Sequence, residues 1–157
     1  MNRIEPTAFT GSKTDALGAY FTSGIASVNI KATLQGFSST NEVNTISPEF
    51  YFLFEKDRNN TPLSSWWFSV ASTPNQFSLI KLDVRKNRRE LKTGSVNIYS
   101  GANIGVSEKN AVAFKIEKIN SHKFKVTPED PLQAGGEYCF MYKGGVPQGI
   151  HSNQSVF

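Results

Sequence analysis

Strict alternation of apolar and polar side chains in short segments is the feature that most constrains the fold of this chain. In residues 28–35, Val28, Ile30, Ala32 and Leu34 occupy every second position. Successive side chains of a β-strand point to opposite faces, so this pattern predicts a strand with one buried face. Similar segments follow at short intervals, separated by polar or glycine-containing turns, and none has the period of an amphipathic helix. The pattern predicts an all-β domain of about eight to ten strands.

The length of 157 residues is typical of one domain. Residues 1–24 are rich in Thr, Ser, Gly and Ala and lack periodicity, which predicts an irregular N-terminal arm. Residues 25–157 are predicted to form a single antiparallel β-sandwich of immunoglobulin-like type, with a jelly-roll-like sandwich or a barrel as the alternative. Val156 and Phe157 predict a short or truncated last strand.

One predicted strand, residues 49–55, is apolar on both faces. Three phenylalanines alternate there with Tyr51 and Leu53. Such a strand is either central and covered on both sides, or has an outer face that meets a partner. The phenylalanines, expected to face the core, are Phe50, Phe52 and Phe54.

The following predicted strand carries two adjacent tryptophans. If Trp66 faces the core with Phe68 and Val70, Trp67 faces outward, because the side-chain period is two. An outward Trp67 near Tyr51 and Leu53 would form an exposed apolar patch of the kind used for partner docking, and a flat aromatic shelf also suits sugars. The alternative is that loops or the N-terminal arm cover this face.

A short motif before the last strong strand favours the sandwich. Tyr138 begins the aromatic segment 138–142 directly after Gly135, Gly136 and Glu137. In a tyrosine corner, the hydroxyl of such a residue bonds to the backbone just upstream, and glycine permits the close approach. The alternative is an ordinary Gly-Gly turn.

Four segments in order resemble an uncharacterised family of bacterial β-rich domains with the succession PxFYF, SPNEFxLxKL, xREL and PLxPGEY. They are PEFYF at 48–52, TPNQFSLIKL at 73–82, NRREL at 87–91 and PLQAGGEYCFM at 131–141. Thr73 and Gln76 depart from the Ser and Glu of that succession, and residues 134–136 replace its Pro-Gly turn. The resemblance covers roughly residues 46–142. It implies a fold and no activity, ligand or catalytic residue.

The sequence contains no recognisable catalytic or metal-binding motif. Cys139 with His122 or His151 is the only Cys/His combination, and Cys139 lies mid-strand, where a thiol usually packs as a small apolar group. Two distant histidines and one cysteine do not suit zinc, and no glycine-rich loop has the lysine and helix of a phosphate-binding loop. We therefore expect no enzyme activity, no metal and no cofactor.

The net charge of +4 is matched by the excess on one predicted hairpin, residues 81–92, which holds six basic and two acidic residues. This basic patch would suit a polyanion. The alternative is a solvated hairpin tip whose charges discourage edge-to-edge pairing. Besides Lys81, the patch comprises Arg85, Lys86, Arg88, Arg89 and Lys92.

Together these patterns predict a non-catalytic binding or accessory module for a protein partner, which presents either Tyr51, Leu53 and Trp67 or the loops at one end. A carbohydrate-binding module and a polyanion binder acting through residues 81–92 are the alternatives, and a nucleic acid is the least favoured partner. No apolar run is long enough to span a bilayer. We expect the chain in the cytoplasm, or exported with its signal peptide absent from this sequence.

Overall fold

A computed structural model describes residues 3–5, 7–15, 27–54, 71–97, 101–104, 108–143 and 155–156. Regular structure in these ranges is antiparallel β, apart from two short 3-10 turns at Pro74–Gln76 and Glu108–Asn110. The prediction of an all-β chain is confirmed. Trp66 and Trp67 lie outside the described residues, together with the predicted strand that carries them.

The described strands form three sheets of three or more strands and one two-stranded pair. Their orders are β2-β3-β7-β6 with β8 on β7, β12-β5-β9, β10-β11-β4, and β1-β13. In chain order the strands are β1 Thr7–Ala8, β2 Gly11–Asp15, β3 Val28–Gln35, β4 Phe50–Leu53, β5 Phe77–Lys81, β6 Asp83–Arg85, β7 Arg88–Asn97, β8 Gly101–Ile104, β9 Ala111–Val112, β10 Phe114–Lys118, β11 Lys123–Pro128, β12 Tyr138–Tyr142 and β13 Ser155–Val156.

The sheet β12-β5-β9 lies between two hydrophobic cores. On β5, Phe77 and Leu79 enter the first core, whereas Ile80 enters the second. On β12, Phe140 enters the first core and Cys139 the second, because neighbouring side chains of a strand point to opposite faces. This sheet is therefore the middle layer, with the sheet β10-β11-β4 on one side and the five-stranded sheet on the other.

The first core is largely aromatic. The rings of Phe50 and Phe52 each lie 5.0 Å from the ring of Phe140 in edge-to-face geometry, and Phe54 packs against the same core. Each such ring pair adds roughly 0.5–1.5 kcal/mol beyond the area that it buries. The prediction that the three phenylalanines share the inward face of their strand is confirmed.

Of the two positions expected for that strand, the central one is not observed. Among the described residues β4 ends its sheet, with β11 as its only neighbour there, and Leu53 is 66% exposed. Residues 50–53 are apolar on both faces, but within the described part of the chain they are not buried on both faces.

The second core joins the middle sheet to the inner face of the five-stranded sheet. Leu34 and Leu91 from the five-stranded sheet meet Ile80, Leu82 and Val156, all of them nearly inaccessible to solvent. Leu82 is also the residue at which the chain passes from β5 to β6, so it links two sheets within one segment.

The N-terminal segment is more regular than predicted. β2 pairs with β3 over five residue pairs, and β1 pairs with β13. Phe9, which lies between β1 and β2 in the chain, packs on the second core. The irregular arm predicted for residues 1–24 is therefore wrong for residues 7–15. The error has a physical cause: an edge strand is held by backbone hydrogen bonds, which require no apolar alternation. The predicted short last strand is present as β13.

The hairpin predicted in residues 81–92 is present, with Lys86 and Asn87 as a two-residue turn between β6 and β7. β7 is continuous rather than broken near Gly94. Its register against β3 shifts between Ile30 and Lys31, where Thr93 is an extra residue on β7. A β-bulge of this kind absorbs one residue without ending the ladder.

The Tyr138 hydroxyl accepts a hydrogen bond of 2.9 Å from the backbone N–H of Gln133, the contact expected of a tyrosine corner. The two glycines serve this turn differently. Gly135 has φ +68°, a conformation costly for residues with a Cβ. A Cβ on Gly136 would lie 2.7 Å from a ring carbon of Tyr138 and 2.9 Å from the Gln133 oxygen.

We expect Gly136→Ala to reduce the free energy of unfolding more than Tyr138→Phe does. The added methyl group must displace both a ring and a carbonyl, whereas Tyr138→Phe loses one hydrogen bond worth about 0.5–1.5 kcal/mol. Urea denaturation of both variants at neutral pH measures the difference. A Gly136→Ala protein as stable as wild type would show that the close approach does not exist.

Candidate functional site

A groove of about 740 Å³ opens at one end of the molecule, between loop 38–48 and turn 132–138. We refer to it as the end groove. Apolar side chains from the first core form part of its lining, among them Phe50, Leu132 and Phe140. Val43 and Ile46 also line it, and they are 51% and 49% exposed. Large apolar side chains left this accessible beside a groove are typical of binding surfaces.

The two walls of the end groove are bonded to each other and to the sheets. The N–H of Leu132 donates to the carbonyl oxygen of Ile46 over 2.6 Å, which links turn 132–138 to loop 38–48. The N–H of Ser39 donates to Oε2 of Glu137 over 3.0 Å, and the carbonyl of Glu137 accepts from Leu82. The groove is thus shaped before any ligand arrives.

Arg89 anchors this arrangement from inside the fold. The residue is only 8% exposed, and its Nη1 lies 3.2 Å from Oε2 of Glu137. Its other nitrogens donate to the carbonyl oxygens of Gln35 and Gly36, at the start of the loop that forms one wall. One guanidinium therefore joins the hairpin, the loop and the turn.

This position corrects the prediction that Arg89 belongs to a surface basic patch. β7 places Arg89 directly opposite Leu34, whose side chain is in the second core. Arg89 therefore shares the inner face of the five-stranded sheet, whereas Arg88 and Glu90 share its outer face. The number and charge of the basic residues in the sequence do not show which of them face inward. That depends on the register of β7 in the sheet.

We expect Glu137→Gln to destabilise the fold by roughly 3–5 kcal/mol, because it leaves the charge of Arg89 buried without a counter-ion. Chemical denaturation monitored by tryptophan fluorescence measures the loss. Glu129→Gln, which neutralises an exposed carboxylate in the turn after β11, is the matched control and should change stability by less than about 0.5 kcal/mol. Equal stabilities of the two variants would contradict an anchoring role for the Arg89–Glu137 pair.

Two basic residues of the hairpin, Arg85 and Arg88, and Lys31 of β3 surround one carboxylate, Glu90. Nε of Arg88 lies 2.7 Å from Glu90, Nζ of Lys31 3.2 Å and Nε of Arg85 3.6 Å. The Glu90 side chain is 3% exposed although it lies on the outer face of the sheet. The predicted basic patch is therefore partly neutralised at its centre.

Opposing effects set the pKa of Glu90. Burial raises it, but hydrogen bonds from Arg88 and Lys31, together with their charges, outweigh burial and hold the pKa below its ordinary value. A carboxyl with a lowered pKa in the folded state stabilises the fold above its unfolded pKa. That stabilisation is lost as the pH falls through the folded value.

We therefore expect wild type to lose more stability than Glu90→Gln between about pH 6 and about pH 3. The variant lacks the titrating group, so its stability should depend less steeply on pH in this range. Urea midpoints measured at several pH values test this. Identical pH profiles would mean that the Glu90 charge is not stabilised by its three basic neighbours.

The predicted apolar patch on β4 is a mixed surface. Leu53 is exposed, but the Tyr51 hydroxyl donates to Oε2 of Glu49 over 3.1 Å, and this bond raises the pKa of Tyr51. Nζ of Lys123 lies 5.0 Å from the centre of the Tyr51 ring, and Lys125 reaches both Glu49 and Glu117. The Tyr51 ring is thus occupied by charged neighbours rather than presented as a bare platform for a sugar. Trp67, the third member of the predicted patch, lies outside the described residues.

Cys139 is a core residue, 3% exposed in the second core. Burial raises the pKa of its thiol to about 12, although the charge of Arg89 acts in the opposite direction. The reactive form of a cysteine is the thiolate, so this thiol is unsuited to nucleophilic attack. His122 lies in the turn before β11, where its N–H bonds to Asn120, and His151 is outside the described residues.

Two simple absences apply to the described ranges. No group of three or more His, Cys, Asp or Glu residues there is placed to hold a metal ion. No helix in those ranges is long and apolar enough to cross a membrane.

No known protein family, no curated protein and no solved structure matches this chain.

Proposed function

We propose that this chain is a non-catalytic binding module that holds a polypeptide segment of a protein partner in the end groove. The observation that carries the proposal is the exposure of Val43 and Ile46 beside an apolar lining. The volume of about 740 Å³ lies within the range of roughly 300–1,000 Å³ found for ligand sites. A partner that buried these two side chains would remove their apolar surface from water, and this burial would contribute favourably to the free energy of binding.

The bonding within the groove favours binding over catalysis. The Glu137 carboxylate already serves Arg89 and the Ser39 N–H, and the Tyr138 hydroxyl already serves the Gln133 N–H. These groups hold the walls in place and so are engaged before a substrate arrives. Walls that are fixed in advance lower the entropic cost of binding, which benefits a binding module.

A polypeptide is the occupant that this geometry suits best. The groove lies at an end of the strands, between two irregular segments, which is where sandwich domains commonly place their binding loops. It is long enough to contact residues from Ser38 to Phe50 on one wall and from Leu132 to Phe140 on the other. An extended chain with apolar side chains would lie along such a cleft.

We further propose that the two sheets around the first core form a sandwich of immunoglobulin-like type, and that the chain belongs to the bacterial β-rich domains that its sequence resembles. The bond between Tyr138 and Gln133 supports the fold type. At a position where the chain departs from those domains, Gln76 accepts hydrogen bonds from the N–H groups of Ser72 and Thr73 through Oε1. A glutamate carboxylate at this position would accept the same two bonds, so the departure preserves the local structure.

The proposed function is tested by peptide selection from a displayed library on the wild-type protein, followed by calorimetric titration of the enriched peptides. We expect Val43→Asp with Ile46→Asp to weaken their binding by at least about tenfold, because the two side chains would lose their apolar contact with the ligand. Val84→Asp is the control: Val84 is 44% exposed on β6 and does not line the groove.

The proposal fails if no peptide is enriched, or if the Val84→Asp control weakens binding as much as the groove variant. The proposal also fails if Leu53→Ala weakens binding of the enriched peptides and the groove variant does not. That result would place the interaction on the outer face of β4.

A further inference from the structure

Three lysines lie side by side on the outer face of the five-stranded sheet. Lys13 on β2 is directly opposite Lys31 on β3, and Lys31 is directly opposite Lys92 on β7. Directly opposed residues in antiparallel strands place their side chains on the same face. With neighbouring strands about 4.8 Å apart, the row extends roughly 10 Å across the sheet.

Two residues along from this row, Glu90 and Asp83 are opposite each other, and two residues further Arg88 is opposite Arg85. The side chains described in these rows therefore include five basic and two acidic groups. Three of the five, Lys31, Arg85 and Arg88, share the single carboxylate of Glu90. Lys13 and Lys92 make no ion pair with another described side chain.

Like charges directly opposite each other destabilise paired strands, and Glu90 pairs with Lys31 but with neither Lys13 nor Lys92. Among the described residues, this face is turned away from the second core. An anionic ligand lying across the row would turn a repulsive arrangement into an attractive one.

We propose that this outer face, defined by Lys13, Lys31, Arg85, Arg88 and Lys92, binds a linear acidic polysaccharide. None of these residues lines the end groove, so the surface is separate from the one in the proposed function.

Two observations favour a polysaccharide over a nucleic acid. The described part of this face carries no aromatic ring on which a base could stack, and stacking is a main source of affinity for single strands. The two arginines, whose forked groups suit phosphates best, are already engaged by Glu90. The cations not paired with Glu90 are lysines, point charges that suit any anion.

The polar groups between the cations point to the same ligand. Asp83 and Gln35 lie on this face among the basic residues, and both can accept hydrogen bonds. A sugar polymer offers hydroxyl donors to such acceptors between its carboxylate or sulfate groups. A phosphodiester backbone has no hydrogen-bond donors in its phosphates to offer to these acceptors.

The test compares binding of the full chain to polygalacturonate, heparin, neutral dextran and duplex DNA by biolayer interferometry at low and high salt. We expect salt-sensitive binding of the two acidic polysaccharides and none of dextran. Lys13→Gln with Lys92→Gln should weaken this binding by about tenfold. Lys115→Gln with Lys118→Gln removes the same charge from exposed positions on β10, outside this face, and should leave binding unchanged.

A thermal shift distinguishes lost binding from lost folding. Polygalacturonate should raise the melting temperature of wild type and of the Lys115/Lys118 control, but not of the Lys13/Lys92 variant. Without ligand, the Lys13/Lys92 variant should be no less stable than wild type, because it removes opposed like charges. The proposal is overturned if wild type binds neither acidic polysaccharide, if both double variants weaken binding equally, or if duplex DNA binds more tightly than either polysaccharide.

Discussion

The pairing of β5 with β12 is the constraint on which the rest of the structure depends. Five residue pairs join the two strands, and both strands bury side chains on both faces. Because the side-chain period is two, one register serves both cores at once: Leu79 and Phe140 enter the first, and Ile80 and Cys139 enter the second. A slip of one residue would exchange the two sets, so the two cores fix each other.

A polar network connects this apolar centre to the surface. Arg89 reaches Glu137 at the start of β12 and the carbonyl groups at the end of β3, so that the hairpin, the loop and the turn of the end groove are held together. On the other face of the same strand, Glu90 gathers Lys31, Arg85 and Arg88. Adjacent residues of β7 thus belong to two different surfaces, one shaping a groove and the other a charged sheet face.

Local chemistry made several features predictable. The inward face of the phenylalanines, the hairpin in residues 81–92 and the Tyr138 contact depend on neighbours within a few positions along the chain. The strands of residues 7–15 were missed because backbone pairing at a sheet edge leaves little trace in side-chain pattern. The end groove could not be located from the sequence, since its walls come from segments almost a hundred residues apart.

By itself, the sequence determined the fold class and the inward face of the three phenylalanines of β4. Those properties follow from side-chain period and hydrophobicity, which are local. Only the tertiary structure decided that Arg89 is internal while Arg88 is external, that Lys13 meets Lys31 and Lys92, and that Val43 and Ile46 border a groove. The reason is that cross-strand register and the approach of distant loops depend on pairings between segments far apart in the chain, which no local pattern records.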